Sequence, residues 1–329
     1  MATFTKRNAT WRAQVRKKGV VKSKSFRTKA EAVAWANRTE IEIETGSYSE
    51  IVDIPFSDVV ERYLREVTLK KRSARKETLL LYRFLELPIA KKSLKELKEE
   101  DFQRWRDERL KTVSSATVLI EWAVISHIFN TAITEWKLLK NNPLKGVKKP
   151  ATPKPRTRRY SQEEIDALIY SSGFSFDELP TTATARVGAV ILFAIETAMR
   201  AGEIVNLTWE HIHFEDRIAH LPKTKNGWPR DVPLSTQAIK ILKLLEKIKE
   251  GESVFQLTSS LLDALFRKLK NRMMLEDLHF HDTRREALTR LAEKVDVMTL
   301  AKISGHRDLS ILQNTYYAPD MKKVAHLLD

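Results

Sequence analysis

Cysteine is missing from all 329 residues, which excludes disulfides, thiolate catalysis and thiol-bound zinc. The eight histidines never fall in a His-Glu-x-x-His spacing, so no metal site is expected. There is no Gly-x4-Gly-Lys-Ser/Thr loop to cradle a nucleotide, and neither ATP nor any other cofactor is expected. No uninterrupted apolar run approaches the ~20 residues that cross a bilayer. The opening MATFTKRNAT has no apolar signal region, so the chain is expected in the cytoplasm, with no membrane partner. Acidic residues are absent from the first 30 positions, which hold Lys6, Arg7, Arg12, Arg16, Lys17, Lys18, Lys22, Lys24, Arg27 and Lys29. What is present is an ordinary folding composition, 42% apolar and 31% charged, long enough for two or three cores. A net charge of +15 makes a polyanion the expected partner, because neutralised phosphates release their counterions.

Three kinds of segment follow one another. Trp11, Ala13 and Val15 alternate with Arg12, Gln14 and Arg16, the period of a strand with one buried and one basic face. Lys18-Gly19 turns the chain into a second extended run ending at Phe26. Thr28 and Glu31 then form a capping box for a helix that turns Ala32, Trp35, Ala36 and Ile43 inward and ends at Gly46. From Phe56 to Val147 every signal is helical, with helices opening after Ser57, at Glu77 and at Ser115. The last carries Val118, Trp122, Ile125, Ile128 and Phe129 as a core stripe. Lys70, Lys71 and Arg72 lie between the first two helices, placed to track a phosphate backbone or to be solvated in a loop. A proline-punctuated basic stretch then reads as an interdomain linker, and Ser161 with Glu164 caps the first helix of a new domain. The resulting fold class is multidomain α+β: a small three-stranded sheet with one helix, an all-helical domain, and a mainly α domain with a small antiparallel sheet.

The chemistry-bearing residues gather in that last domain. Residues 187–197, VGAVILFAIET, predict a core helix with Arg200 at its end. An arginine so placed needs a partner, either Glu203 or a bound phosphate whose oxygens its planar fork would fit. Asn226-Gly227 predicts a hairpin between strands at 217–221 and 231–234, with Lys225 at its tip as a solvated charge or a proton donor. His281 and Arg284, three apart in LHFHDTRREAL, share a helix face and can meet at one phosphate, while Arg285 is expected to face elsewhere. Gly305-His306 marks a helix junction, and Tyr316 and Tyr317 follow a short amphipathic turn.

TAMRAGE, Lys225 ahead of VPL, HFHDTRR and SGHRDL followed by TYYAP, in this order, resemble the tyrosine recombinase or phage integrase family. The first 54 residues are similar to the AP2-like arm-binding module of such enzymes. The resemblance implies an arm-type DNA-binding domain at 1–54, a helical core-binding domain at 55–148, a basic linker at 149–160 and a catalytic domain at 161–329. Arg200 and Arg284 would hold the scissile phosphate with His306 as a further donor, and Glu203 would orient Arg200. Lys225 would protonate the leaving 5′ oxygen, His281 would assist proton transfer, and Tyr316, or alternatively Tyr317, would form a 3′-phosphotyrosyl link. Arg12, Arg16, Lys17, Lys18, Lys22, Lys24, Lys70, Lys71 and Arg72 would contact DNA. Expected partners are duplex attachment sites of core and arm type, three further protomers in a tetramer on paired sites, an excisionase and a host DNA-bending protein. Two departures stand out: Arg285 occupies a place usually held by histidine, and one extra residue separates His306 from Tyr316. A type IB topoisomerase-like relaxing enzyme and a catalytically silent DNA-binding protein are the alternatives.

Overall fold

In the computed structural model, which describes residues 2–44, 53–222 and 228–317, the alternation around Ala13 becomes the middle strand of an antiparallel sheet. Its strands are β1 (Ala2–Arg7), β2 (Thr10–Lys17) and β3 (Val20–Phe26), in that order. Helix α1 (Lys29–Glu44) starts at the expected capping box, with Thr28 Oγ1 and Glu31 Oε2 each accepting the other's amide at 3.2 Å. Ala13 and Val15 are fully buried against Ala32, Ala36 and Ile43. Gly46, the expected end of the helix, lies outside the described residues.

The pairing register corrects the expected basic face. Directly paired residues of antiparallel strands share a face, and Lys22 and Lys24 pair with Val15 and Ala13. Both lysines therefore belong to the helix-covered side. Lys17 Nζ lies 3.0 Å from a Glu44 carboxylate oxygen and Lys18 Nζ donates to the Glu44 carbonyl at 3.0 Å, placing two cations at the negative end of α1. Arg12 and Arg16 occupy the open face, beside Gln14, Ser23 and Ser25.

The same unit, Met1–Pro155, continues in helices α2 (Phe56–Glu66), α3 (Ala74–Leu85), α4 (Glu99–Thr112) and α5 (Ser115–Thr134). Ser114 caps α5 by accepting the Thr117 amide at 3.3 Å. By length and composition α5 is apolar enough to cross a bilayer, although no stretch of the sequence was expected to be. Its Val118, Trp122, Ile125, Ile128 and Phe129 instead form the domain core with Phe56, which stacks on Phe129 at 4.5 Å. Helix α3 begins three residues before the expected Glu77, because Glu77 points inward. Its carboxylate accepts from Thr68 Oγ1 and Lys71 Nζ, both at 2.8 Å, and the same ammonium donates to Tyr63 Oη at 2.6 Å. Lys71 is therefore an internal strut rather than a free cation, while Lys70 and Arg72 are exposed.

The second unit, Arg156–Asp329, holds α6 (Gln162–Ser172), capped as expected by Ser161 and Glu164. Helix α7 (Ala183–Thr197) runs through its core with Val187, Val190, Ile191 and Ala194 fully buried. After α8 (Ala201–Val205) come β4 (Ile212–His213), β5 (Ile218–Leu221) and β6 (Arg230–Pro233), an antiparallel sheet in sequence order. Helices α9 (Thr236–Glu246), α10 (Ser259–Arg272), α11 (Asp282–Ala292), α12 (Val297–Ser304) and α13 (Leu309–Thr315) complete it.

Residues 148–161 have no regular structure, but the second half of that stretch is fastened to the unit it enters. Arg156 bonds Asp282 at 3.0 Å and Asp277 at 2.7 Å, and Arg159 bonds Glu286 at 3.0 Å. Asp282 and Glu286 lie one turn apart on α11 and are almost fully buried; Arg156 neutralises the first, and Arg159 together with Arg290 neutralises the second.

Candidate active site

The site residues lie at helix ends of the second unit. Helix α7 stops because Ala198 takes a left-handed conformation, φ 53°, with its amide bonded to the Ala194 carbonyl at 3.0 Å. An alanine costs about 1 kcal/mol there, and the sharp turn puts Arg200 in front of α8. Three residues on, Glu203 reaches back: Oε2 accepts the Arg200 amide and Oε1 accepts Arg200 Nη1, each at 2.9 Å. The ion pair considered from the sequence is thus formed, with the arginine side chain still 23% exposed.

Glu203 carries a second guanidinium that the sequence reading missed. Arg230 donates from Nη1 and Nη2 to the two carboxylate oxygens, at 3.0 and 2.7 Å, and from Nε to the Ile303 carbonyl at 2.9 Å. Burial works against the Glu203 charge, but Arg230 and the Arg200 amide outweigh it and hold the carboxyl down at about 2. A signal for Arg230 was present. It lies in period-two alternation with Val232 and Leu234, both buried, so its side chain had to turn inward.

His281 stands immediately before α11, and Arg284 lies in its first turn, as expected. Arg284 is 3% exposed. It donates from Nη1 to the Ala198 carbonyl and from Nη2 to the Ser304 carbonyl at 2.6 Å, tying the ends of α7 and α12 together. Burial first, and then the charges of Arg200 and Arg230, push its pKa down to about 9, so it stays cationic at neutral pH. The His281 pKa is lowered by burial and by Arg284.

His306 leaves the end of α12 through Gly305, whose φ of 69° favours glycine and whose missing Cβ would lie 3.3 Å from the Arg230 guanidinium. Ser304 Oγ donates its one proton to the Leu300 carbonyl at 2.6 Å and lies 2.7 Å from His306 Nδ1. It must therefore accept from Nδ1–H, which leaves the Nε2 lone pair of the neutral ring uncommitted. Burial, then Arg284, Arg200, Arg230 and His281, push this imidazole down to about 4.

Tyr316 ends α13, packed against a small cluster with Leu288, Leu300 and Leu312. The Arg285 guanidinium stands 5.3 Å from the centre of its ring. As expected, Arg285 does not share the face of Arg284: one position on, it is turned about a third of the way round α11, and the direction it takes is toward Tyr316 at the end of α13. The neighbouring Tyr317 hydroxyl donates to the Val295 carbonyl. Lys225 lies outside the described residues. The strands on either side of it form the expected hairpin, with Leu221 paired to Arg230.

The electrostatic balance is one-sided. The charges of Arg200 and Arg230 act on Arg284, and the arginines keep His281 and His306 from taking up protons; Glu203 answers the arginines, and Asp282 acts on His281. Asp282 and Glu286, the other nearby acids, are held by Arg156 and Arg159. Buried cations in such excess are costly without an anion, and the arrangement can accept a tetrahedral oxyanion such as a phosphodiester, whose single negative charge grows as phosphorus is attacked.

Residues 161–323 match the model of the phage integrase family. An integrase/recombinase of Haemophilus influenzae is 53% identical over 327 residues, covering 98% of this chain and 88% of its own length. The shufflon-specific DNA recombinase of Escherichia coli is 36% identical, covering 78% of this chain and 67% of its own length. Among solved structures, a lambda integrase tetramer bound to a Holliday junction superposes with a TM-score of 0.66 at 15% identity, covering 95% of this chain and 94% of that one.

Proposed function

This chain belongs to the phage integrase family and is a tyrosine-type site-specific DNA recombinase, and from that premise we propose how its residues divide the work. The observation that carries the assignment is the excess of cations around Glu203, which a scissile phosphate would neutralise. Arg200 and Arg284 hold its non-bridging oxygens, and His306, protonated once the phosphate is in place, adds a third donor. Tyr316 attacks phosphorus through its hydroxyl oxygen. The new bond joins tyrosine to the 3′ phosphate, the bond to the 5′ oxygen breaks, and Lys225 supplies that oxygen with a proton. His281 assists removal of the phenolic proton. Attack by a 5′ hydroxyl from another strand reverses the sequence, so the broken bond's energy is kept and no ATP is needed.

Tyr316 is favoured over Tyr317 because the Tyr317 hydroxyl is already bonded to a backbone carbonyl, whereas Tyr316 sits under the Arg285 cation. We assign integration and excision of a mobile element as the biological reaction, carried out in a bacterial cytoplasm by a tetramer on paired sites. Likeness to the lambda integrase tetramer supports that assembly. An excisionase and a host bending protein complete the proposal, as does contact of Arg12 and Arg16 with arm-type DNA.

The test is a denaturing gel of the protein incubated with labelled duplexes from the borders of its own genetic element. A covalent adduct is expected from the wild type and from Tyr317→Phe, and none from Tyr316→Phe. An adduct that survives Tyr316→Phe and disappears in Tyr317→Phe would exchange the two assignments.

A further inference from the structure

We propose that Arg230 is a positioning residue of the phosphate site, an arginine that does not touch DNA and instead sets Arg200 and His306 relative to each other. The inference rests on the reading of those two side chains as phosphate ligands. The Arg230 side chain is 8% exposed, and each of its three nitrogens has a protein acceptor: both oxygens of Glu203 and the carbonyl of Ile303.

Each end of this bridge leads to one ligand. Glu203 passes the constraint to Arg200 through two bonds of 2.9 Å, one to the side chain and one to the amide. Ile303 belongs to the last turn of α12, from which His306 emerges three residues later, and Gly305 between them lies against the Arg230 guanidinium. Arg230 is the first residue of β6, paired with Leu221 in the last pair of the ladder before the turn. One side chain thus registers the strand, the carboxylate behind Arg200 and the helix end before His306.

The residue type fits the task. A planar fork matches both carboxylate oxygens at once and still has Nε–H for a carbonyl set to one side, whereas an ammonium is a point charge on a flexible stem. An ion pair so deeply buried adds little net stability over an apolar pair of the same volume. Fixing geometry is the contribution left to it.

The experiment is single-turnover cleavage on nicked border duplexes by Arg230→Met, Arg230→Lys and the double variant Arg230→Met/Glu203→Gln. Thermal unfolding and gel-shift affinity are measured alongside. The same cleavage is repeated with a methylphosphonate at the phosphate mapped by the wild-type adduct. There a methyl group replaces one non-bridging oxygen, so less charge must be met by an aligned arginine.

Both single variants should bind DNA as the wild type does and form the adduct about 10- to 100-fold more slowly. That is less than the ~100- to 1000-fold expected on losing a donor that touches the phosphate. The methylphosphonate should recover most of the loss, and the double variant should be no slower than the slower single one. Wild-type cleavage by Arg230→Met overturns the inference. So does a joint loss of melting temperature, binding and cleavage that the methylphosphonate leaves unrecovered, since that marks a merely structural role. If the wild type forms no adduct, the assignment of the phosphate site fails first, and the inference falls with it.

Discussion

At the scale of single residues, Arg284 bonds two backbone carbonyls at helix ends and, in the proposed function, also brings its charge to the phosphate. Arg284→Ala should therefore cost both stability and catalysis, whereas Arg200→Ala, at a more open position, should cost catalysis alone. For each, adduct formation should fall about a hundredfold or more, on the order of 3 kcal/mol, with DNA still retained in a gel shift. His306 gives a pH prediction. Its pKa is held near 4 in the free protein by burial and then by the guanidiniums, against an ordinary 6.5, and a phosphate among those guanidiniums would offset their share of the shift and raise it. Binding then takes up a proton, so affinity for a cognate duplex should increase as pH falls from about 7 to about 5. His306→Gln should show a shallower rise, and identical slopes would remove His306 from the phosphate. The sign reverses for the DNA-free fold. A base with a depressed folded pKa stabilises above 6.5 and loses that contribution as pH falls toward 4. Glu203 loses its own between 4.5 and about 2, so acid should lower the melting temperature of the free protein.

At the scale of elements, the site depends on how closely α7 approaches the end of α6. A Cβ on Gly188 would fall 2.1 Å from Ser172 Oγ and 2.7 Å from the Phe174 Cβ. Ser172 is itself fixed by bonds to the Ile169 carbonyl and the Phe174 amide. Gly188→Ala should then force the helices apart and destabilise the domain by about 2–3 kcal/mol, measured as a lower denaturant midpoint; an unchanged midpoint would mean that α6 yields freely. The elements were legible where a local rule suffices. The capping boxes at Thr28 and Ser161, the apolar run of α7 and the turn at Gly305 can each be read within a few residues, and the last two place Arg200 and His306. What was missed depends on side-chain partners and strand pairing that periodicity does not report. Lys22 and Lys24 lie on the covered side because of strand register, Lys71 is held by Tyr63 and Glu77, and Arg156 and Arg159 find carboxylates more than a hundred residues away. Arg230 is the exception, since its alternation with Val232 and Leu234 could have been read from the sequence.

For the whole molecule, the net charge of +15 makes DNA binding steeply salt-dependent, and each phosphate contact removed should lower the slope of log affinity against log salt by about 0.9. Arg12→Ala/Arg16→Ala should reduce that slope by roughly two if both touch phosphates. Lys17→Ala/Lys18→Ala, which lose bonds to Glu44, should leave it nearly unchanged, and equal effects from the two pairs would deny the open face its role. The anchoring of the chain's entry into the second unit has a mechanical consequence. Because Arg156 and Arg159 are fastened to Asp282 and Glu286, tension carried along residues 148–155 is delivered to α11 before it reaches α6. A pull on the chain ahead of Arg156 would therefore be borne first by the helix that carries Arg284 and Arg285.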